Sequence, residues 1–529
     1  MRPQRPERHL AAPIVFTDSF AGLGENAEMK SSKKDDIEAI RASNLFDAEW
    51  YLKTYPDVKA LGMDPLEHYL WLGAKLNRNP SLKFDTKGYL SQNTDVADAR
   101  INPLVHYVCS GKHHAIAPIL DTALTGEPAN RTTAKPVIIY ESHNLKLQGA
   151  PNSLFEIASG VKRNGHFHPI LMAPEMGPLS EAYQKQDIEC VAHSISSKRL
   201  NNPKDRDRNI LKLADFYRRA GGALVHANTL QNFHCILAAS IAGIPAVWNI
   251  RESEDPTTYY DYLAPDLRKI AYSSFDRTAS VIFVAEATRR RWRSLLDGTV
   301  PNTTILNGID SSRLMRLVYG TNRPALRRAS GVGENDLLLL NVGTVAPRKG
   351  QQDLVDAMMR LDKTVRQRIV LAIAGFNESD YSRTILAQLE VLEKQGLRFI
   401  AIQESTSEVE RRKVAELYSA ADVFILASRV ESYPRVILEA MEFGLPIIST
   451  PCFGVQEQLI DGESGLFYNQ GEIEQLCEHI CFLSTSPQAM RKLGVAARQR
   501  LAGLNSYDQM VADYESVYKR ILAPLICEI

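Results

Sequence analysis

From Pro136 to Tyr468 the chain alternates short apolar runs with amphipathic segments of helix length, and no other feature constrains its fold as tightly. Strands covered on both faces read as continuous Val, Ile and Leu runs, so this is the pattern of parallel sheets flanked by helices. A first set of runs comprises Val137–Tyr140, Pro169–Ala173, Ala223–His226, Ala246–Ile250, Val281–Val284 and Thr304–Leu306. A second comprises Leu337–Val342, Ile369–Ala374, Phe399–Ile402, Val423–Leu426, Pro446–Ser449 and Gly465–Tyr468. Two sets of six predict two α/β halves joined near Asp310 to Arg323, and Tyr507 to Ile521 predicts a closing helix. A chain of 529 residues is too long for one hydrophobic core, which agrees with that division. In open sheets of this type ligands sit beyond the carboxyl ends of the strands, so a cleft between two such halves is the expected substrate site.

Ahead of these halves lies an internal repeat. Phe46-Asp47 recurs as Phe84-Asp85, Tyr51-Leu52 as Tyr89-Leu90, Asp57-Val58 as Asp95-Val96, Pro65-Leu66 as Pro103-Leu104, His68-Tyr69 as His106-Tyr107 and Gly73 as Gly111, every pair 38 residues apart. Each copy carries aromatic and aliphatic residues at helical spacing, with Pro opening one helix and Gly closing it. His68 and His106 therefore read as packing or capping residues ahead of metal ligands. The resulting plan is a flexible arm over 1–40, a duplicated all-α module over 41–120, a linker over 121–135, one Rossmann-like domain over 136–312, a second over 313–505 and a closing helix over 506–529.

Lys plus Arg and Asp plus Glu number 62 each, so there is no net field to draw in nucleic acid or an anionic membrane. The seven cysteines are scattered without a CxxC pair, which fits reduced thiols in a cytoplasmic protein and argues against structural zinc. No apolar stretch reaches about 18 residues, so neither a signal peptide nor a membrane span is expected.

Residues 421–465 read ADVFILASRVESYPRVILEAMEFGLPIISTPCFGVQEQLIDGESG. A strand ends at Ser428, and a helix is expected to begin near Ser432 and Tyr433 with Pro434 in its first turn. Its free N–H groups and dipole suit a diphosphate. Glu431 stands at that start and Glu439 eight residues on, about two turns along and roughly on one face. A second block, Asn341-Val342-Gly343-Thr344-Val345-Ala346-Pro347-Arg348-Lys349-Gly350, combines a strand, a Gly turn and basic residues at a helix start, which again makes a phosphate site.

The E-x7-E element with its EAM-x-x-G-x-P-I-I-x-T continuation resembles family 4 of the retaining glycosyltransferases, the glycosyl transferases group 1, and the repeat resembles a module found beside bacterial glycosyltransferases. The resemblance implies a GT-B fold and a soluble, metal-independent, hexosyltransferase-type enzyme that needs no cofactor beyond its nucleoside-diphosphate sugar donor. It places Glu439 at the nucleotide ribose, Glu431 near the transferred sugar, and Lys349 at the leaving diphosphate. The family's Arg is replaced by Thr344, so Arg348 either substitutes for that charge or faces solvent. Gly149, Gly343, Thr344, Ser432, Tyr433, Arg435, Val436 and Glu457 complete the implied donor site. His226 and Asn228 end one strand facing the cleft and Arg251 ends the next, which makes them acceptor candidates. The setting implied is bacterial polysaccharide or surface-glycan assembly. The acceptor would be a glycan, a lipid-linked sugar or a protein, with peripheral contact at the inner membrane face and the repeats as a protein or acceptor dock. The lone Asp-x-Asp, Asp205-Arg206-Asp207, lies in a polar run and reads as solvated surface. The rivals are a sugar-nucleotide epimerase or phosphorylase on the same fold and a non-catalytic glycan-binding scaffold.

Overall fold

The computed structural model describes residues 37–109, with breaks between 82 and 100, and residues 135–526 apart from 194, 196–199, 201–202, 297, 299 and 405–406. The expected linker and most of the expected arm lie outside the described residues. Where the arm expectation meets them it is corrected, because residues 37–43 are helical and Ile40 is buried in the module's core. Two compact units result, residues 1–120 and 121–529.

In the first unit, helices Ala48–Thr54 and Pro65–His68 are capped by the Asp47 and Asp64 side chains, and Pro56 opens the short helix between them. Tyr51 Oη bonds His68 Nδ1 at 3.0 Å, and Tyr89 Oη bonds His106 Nδ1 at 2.7 Å in the second copy. Both histidines thus do the same packing job in successive repeats. Gly73 is required by proximity, since a Cβ there would lie 2.1 Å from the Tyr51 hydroxyl.

In the second unit, β1 (Val137–Glu141), β2 (His168–Ala173), β3 (Glu189–Ala192), β4 (Gly222–Asn228), β5 (Ala246–Ile250), β6 (Ser280–Phe283) and β7 (Asn302–Thr304) form one parallel sheet in the order β3-β2-β1-β4-β5-β6-β7. Six strands were expected, and β3 is the addition. Its sequence, ECVA, is too polar and short to register as an apolar run, which is what a half-exposed edge tolerates. The second sheet, β8 (Leu337–Val342), β9 (Ile369–Phe376), β10 (Arg398–Gln403), β11 (Val423–Leu426), β12 (Ile447–Ser449) and β13 (Leu466–Phe467), runs β10-β9-β8-β11-β12-β13, also parallel.

The helices that matter for the site are α1 (Gly149–Asn164), α2 (Glu286–Trp292), α3 (Gln351–Arg360), α4 (Arg435–Glu442), α5 (Val455–Gln458) and α6 (Tyr507–Ile526). The last of these does not close the second half. Met510, Val511, Tyr514 and Tyr518 share one core with Ile138 and Tyr140 of β1 and Leu154 and Ile157 of α1. Close approach is built in, because a Cβ at Gly160 of α1 would meet Val511 Cγ2 at 2.4 Å. The first half is therefore discontinuous, its core finished by the final helix, and each fully buried large side chain there contributes roughly 1.5–3 kcal/mol.

Candidate functional site

Two loops at the carboxyl edge of the second sheet form the centre of the site. The first leaves β8 through Gly343, whose φ of +152° favours glycine, and ends at Gly350, where a Cβ would sit 2.0 Å from the Ala427 carbonyl oxygen. The second leaves β11 at Ser428. Arg429 N donates to Arg348 O at 2.7 Å, and the Arg429 guanidinium grips Asp353 of α3 at 2.6 and 2.5 Å. The loops are thereby bonded together, and Lys349 Nζ donates to Glu431 between them. Ser428 Oγ donates to the same carboxylate at 2.8 Å. Burial acts to raise the Glu431 pKa, but Lys349 and then Arg348 outweigh it and hold the carboxyl below its ordinary value. Arg348 is itself exposed.

Helix α4 begins at Arg435, with Pro434 as its N-cap, and not at Ser432. Glu431 consequently lies on the loop, so the expectation of two carboxylates on one helical face is corrected. Glu439 is half-buried within α4 beside the Tyr418 hydroxyl, and Val436 offers its carbonyl to Tyr418 Oη at 3.4 Å. Gly149 opens α1 with no atom within 4 Å of where a Cβ would stand, so this helix start borders open space.

Several residues expected in the donor site also join the two halves. Arg435 makes a buried bidentate pair with Glu156 of α1, both bonds at 2.7 Å. Ser432 Oγ donates to Arg251 O at 2.7 Å and bonds Ser253 Oγ at 2.8 Å. Tyr433 O accepts from Asn307 Nδ2 at 3.1 Å. Glu457 accepts from the backbone N–H groups of Glu286 and Ala287 at 3.0 and 2.7 Å, which caps α2, a helix whose own N-cap residue is Ala285. Its carboxylate serves as that helix's cap across the two halves. Thr344 Oγ1 donates to Glu404 at 3.0 Å, and Gln148 Nε2 reaches the same oxygen from the first half at 2.7 Å. Asn152 Oδ1 accepts from Arg411 at 3.4 Å.

Residues after β1 meet residues after both β10 and β11, residues after β5 and β7 meet those after β11, and residues after β6 meet those after β12. The chain crosses between the halves twice, from β7 to β8 and again ahead of α6.

Among the acceptor candidates, His226 is corrected. It is fully buried, bonded through Nδ1 to Tyr518 Oη at 2.6 Å and flanked by the Tyr140 and Tyr514 rings, so it faces α6 and not the cleft. Burial, then Arg251, pushes its pKa down to about 3. Asn228, also buried, accepts from Arg251 Nε at 2.7 Å, while Arg251 Nη1 donates to Asn307 Oδ1 at 2.9 Å and Nη2 has no hydrogen-bond partner among the described residues. Beside them Thr229 has φ +74° and ψ 156°, costly for a β-branched residue, and pairs with His143 at 3.3 Å. Glu252, held by the N–H groups of Leu230 and Arg251, has its pKa raised by burial and then Glu254 to about 7. Arg206 pairs with Asp207 and Asp266 on the surface of the helix Pro203–Arg219. Glu404, Arg429 and Asp353 escaped sequence reading because no local motif marks them.

Residues 322–500 match the family Glycosyl transferases group 1, and residues 147–313 match Glycosyltransferase Family 4. The chain is 30% identical over 233 residues to the D-inositol 3-phosphate glycosyltransferase of Geodermatophilus obscurus, a match covering 43% of this chain and 50% of that one. It is 23% identical over 259 residues to the N-acetyl-alpha-D-glucosaminyl L-malate synthase of Bacillus anthracis, covering 49% and 64%. The chain thus spans about half the length of these curated relatives. Among solved structures, HepE of Anabaena in complex with UDP superposes with a TM-score of 0.58 at 19% identity, covering 73% of this chain and 100% of that one. WaaG, a glycosyltransferase involved in lipopolysaccharide biosynthesis, superposes at 0.55 and 18%, covering 73% and 99%. The shared architecture is the GT-B fold.

Proposed function

Because the chain belongs to the family 4, group 1 glycosyltransferases, we propose that it moves a sugar from a nucleoside diphosphate to a glycan, lipid-linked or protein acceptor, with retention at the anomeric carbon and without a metal ion. The pairing of Lys349 with Glu431 across two mutually bonded loops carries this reading. Breaking a glycosyl–phosphate bond develops negative charge on the departing diphosphate and positive charge at the anomeric carbon. Lys349 and the backbone N–H groups at the start of α4 are fixed in advance where the first charge develops, so they stabilise it without reorganising. Glu431 orients the lysine and, as an anion beside the sugar, favours the second. Glu439 is the residue assigned to the ribose. Arg251, with one guanidinium nitrogen left unpaired, is assigned to the acceptor side, and surface-glycan assembly is the proposed setting.

The test is a metal-free thermal-shift panel of UDP, GDP, ADP and dTDP on wild type and Glu439→Ala. UDP heads the panel because the Anabaena HepE binds it. A ligand at about 100 times its Kd adds about 2.7 kcal/mol, a shift of a few degrees. One nucleotide that stabilises wild type but not the variant supports the donor site, and no shift from any of them overturns it.

A further inference from the structure

Gln148 and Thr344 stand on opposite walls of the cleft, and one carboxylate oxygen joins them: Glu404 Oε1 accepts from Gln148 Nε2 at 2.7 Å and from Thr344 Oγ1 at 3.0 Å. The bridge joins the segment that follows β1 to the segments that follow β8 and β10. Its neighbours are Gly343 on one wall and Gly149, bordering open space, on the other. The lysine of the two-loop site, Lys349, is engaged by Glu431, and among the described residues Glu404 has no ion-pair partner.

We infer that Glu404 is a positioning residue that ties the two walls of the cleft together, and that the donor's diphosphate must displace it. The inference rests on the donor-site reading above. A diphosphate arriving beside Thr344 meets a carboxylate of like charge, and Gln148 and Thr344 are neutral and do not offset the repulsion. When Glu404 leaves, bonds on both walls break together, and the Gln148 amide and Thr344 hydroxyl become free to donate to phosphate oxygens. Donor entry and release of the clasp are then one event, and the two walls close again on the phosphates through the same two donors.

Glu404→Gln keeps the size and one acceptor oxygen but removes the charge, and Glu404→Ala removes the clasp. Isothermal titration of UDP, GDP and ADP into wild type and both variants, with thermal melts to verify folding, reads the effect. Both variants are expected to bind the preferred nucleotide about tenfold more tightly than wild type, the gain of relieving one like-charge contact at a partly shielded site. Nucleotide binding by wild type with no gain in Glu404→Gln overturns this inference and leaves the donor site standing. Failure of every chain to bind any of the three nucleotides overturns both.

Discussion

At the scale of single residues, Lys349 and Glu431 bear the most weight, since each neutralises the other in a largely buried setting. Lys349→Gln removes the cation from the diphosphate side and leaves Glu431 without its main compensating charge. Its kcat is expected to fall about 100- to 1000-fold, the usual effect of deleting one preorganised electrostatic donor. Initial rates with the donor identified by the nucleotide panel check this, and a loss below threefold would remove Lys349 from the mechanism. These two residues were legible because a strand, a loop and a helix start lie together in the sequence around each. Arg435, Glu457 and His226 were not, because their partners Glu156, Ala287 and Tyr518 lie far along the chain and only folding brings them close. A motif marks where a side chain starts from, but the packed neighbour decides where it ends.

At the scale of elements, apolar runs marked eleven of the thirteen strands, because a buried parallel strand writes its environment as a continuous hydrophobic stretch, while the expected run Thr304–Leu306 met the polar β7 only at its last residue. The half-exposed β3 carries no such signature, and the start of α4 moved to Arg435 because Pro434 serves as its cap. What the pattern hides is the partner of α6. Its tyrosines cover β1 and β4, where they hold His226 neutral. His143, partly buried, and His234, fully buried, have pKa values lowered by desolvation to about 4 and about 3. Below pH 6.5 the unfolded chain takes up protons that these three refuse, so their share of stability is complete above 6.5 and is lost as pH falls toward 4. Glu252 acts in the opposite sense, because its raised pKa favours the folded state as pH falls through 7. Three histidines at about 1.4 kcal/mol each, less about 2 kcal/mol for the glutamate, leave a net loss of about 2 kcal/mol between pH 7.5 and 5.5. Urea midpoints at the two pH values measure it, and His226→Phe is expected to reduce the difference by more than half.

For the α/β unit as a whole, the Arg435–Glu156 pair is the contact whose loss the two halves can least tolerate. Breaking it with Glu156→Gln strands a buried guanidinium and is expected to cost about 3–5 kcal/mol in denaturant unfolding. Replacing both partners by Met is expected to recover most of that stability while turnover stays low, because the pair sets how α4 is presented to α1. Recovery of full turnover in the double variant would show that the pair has no part in alignment. The resemblance to two facing halves was readable from the chain, whereas the depth of their bonding was not, since sequence gives no hint that the loop bearing Glu431 is also held by Ser253 and Asn307.

The return of α6 to the first sheet has a consequence for synthesis. The ribosome completes β7 at Thr304, yet the helix that covers β1 and α1 begins only at Tyr507. At 5–20 residues per second, roughly 10–40 s pass with Ile138, Tyr140 and their neighbours lacking their cover. A nascent chain of this design therefore needs a chaperone, or the partly made second half, to shield that face until α6 emerges.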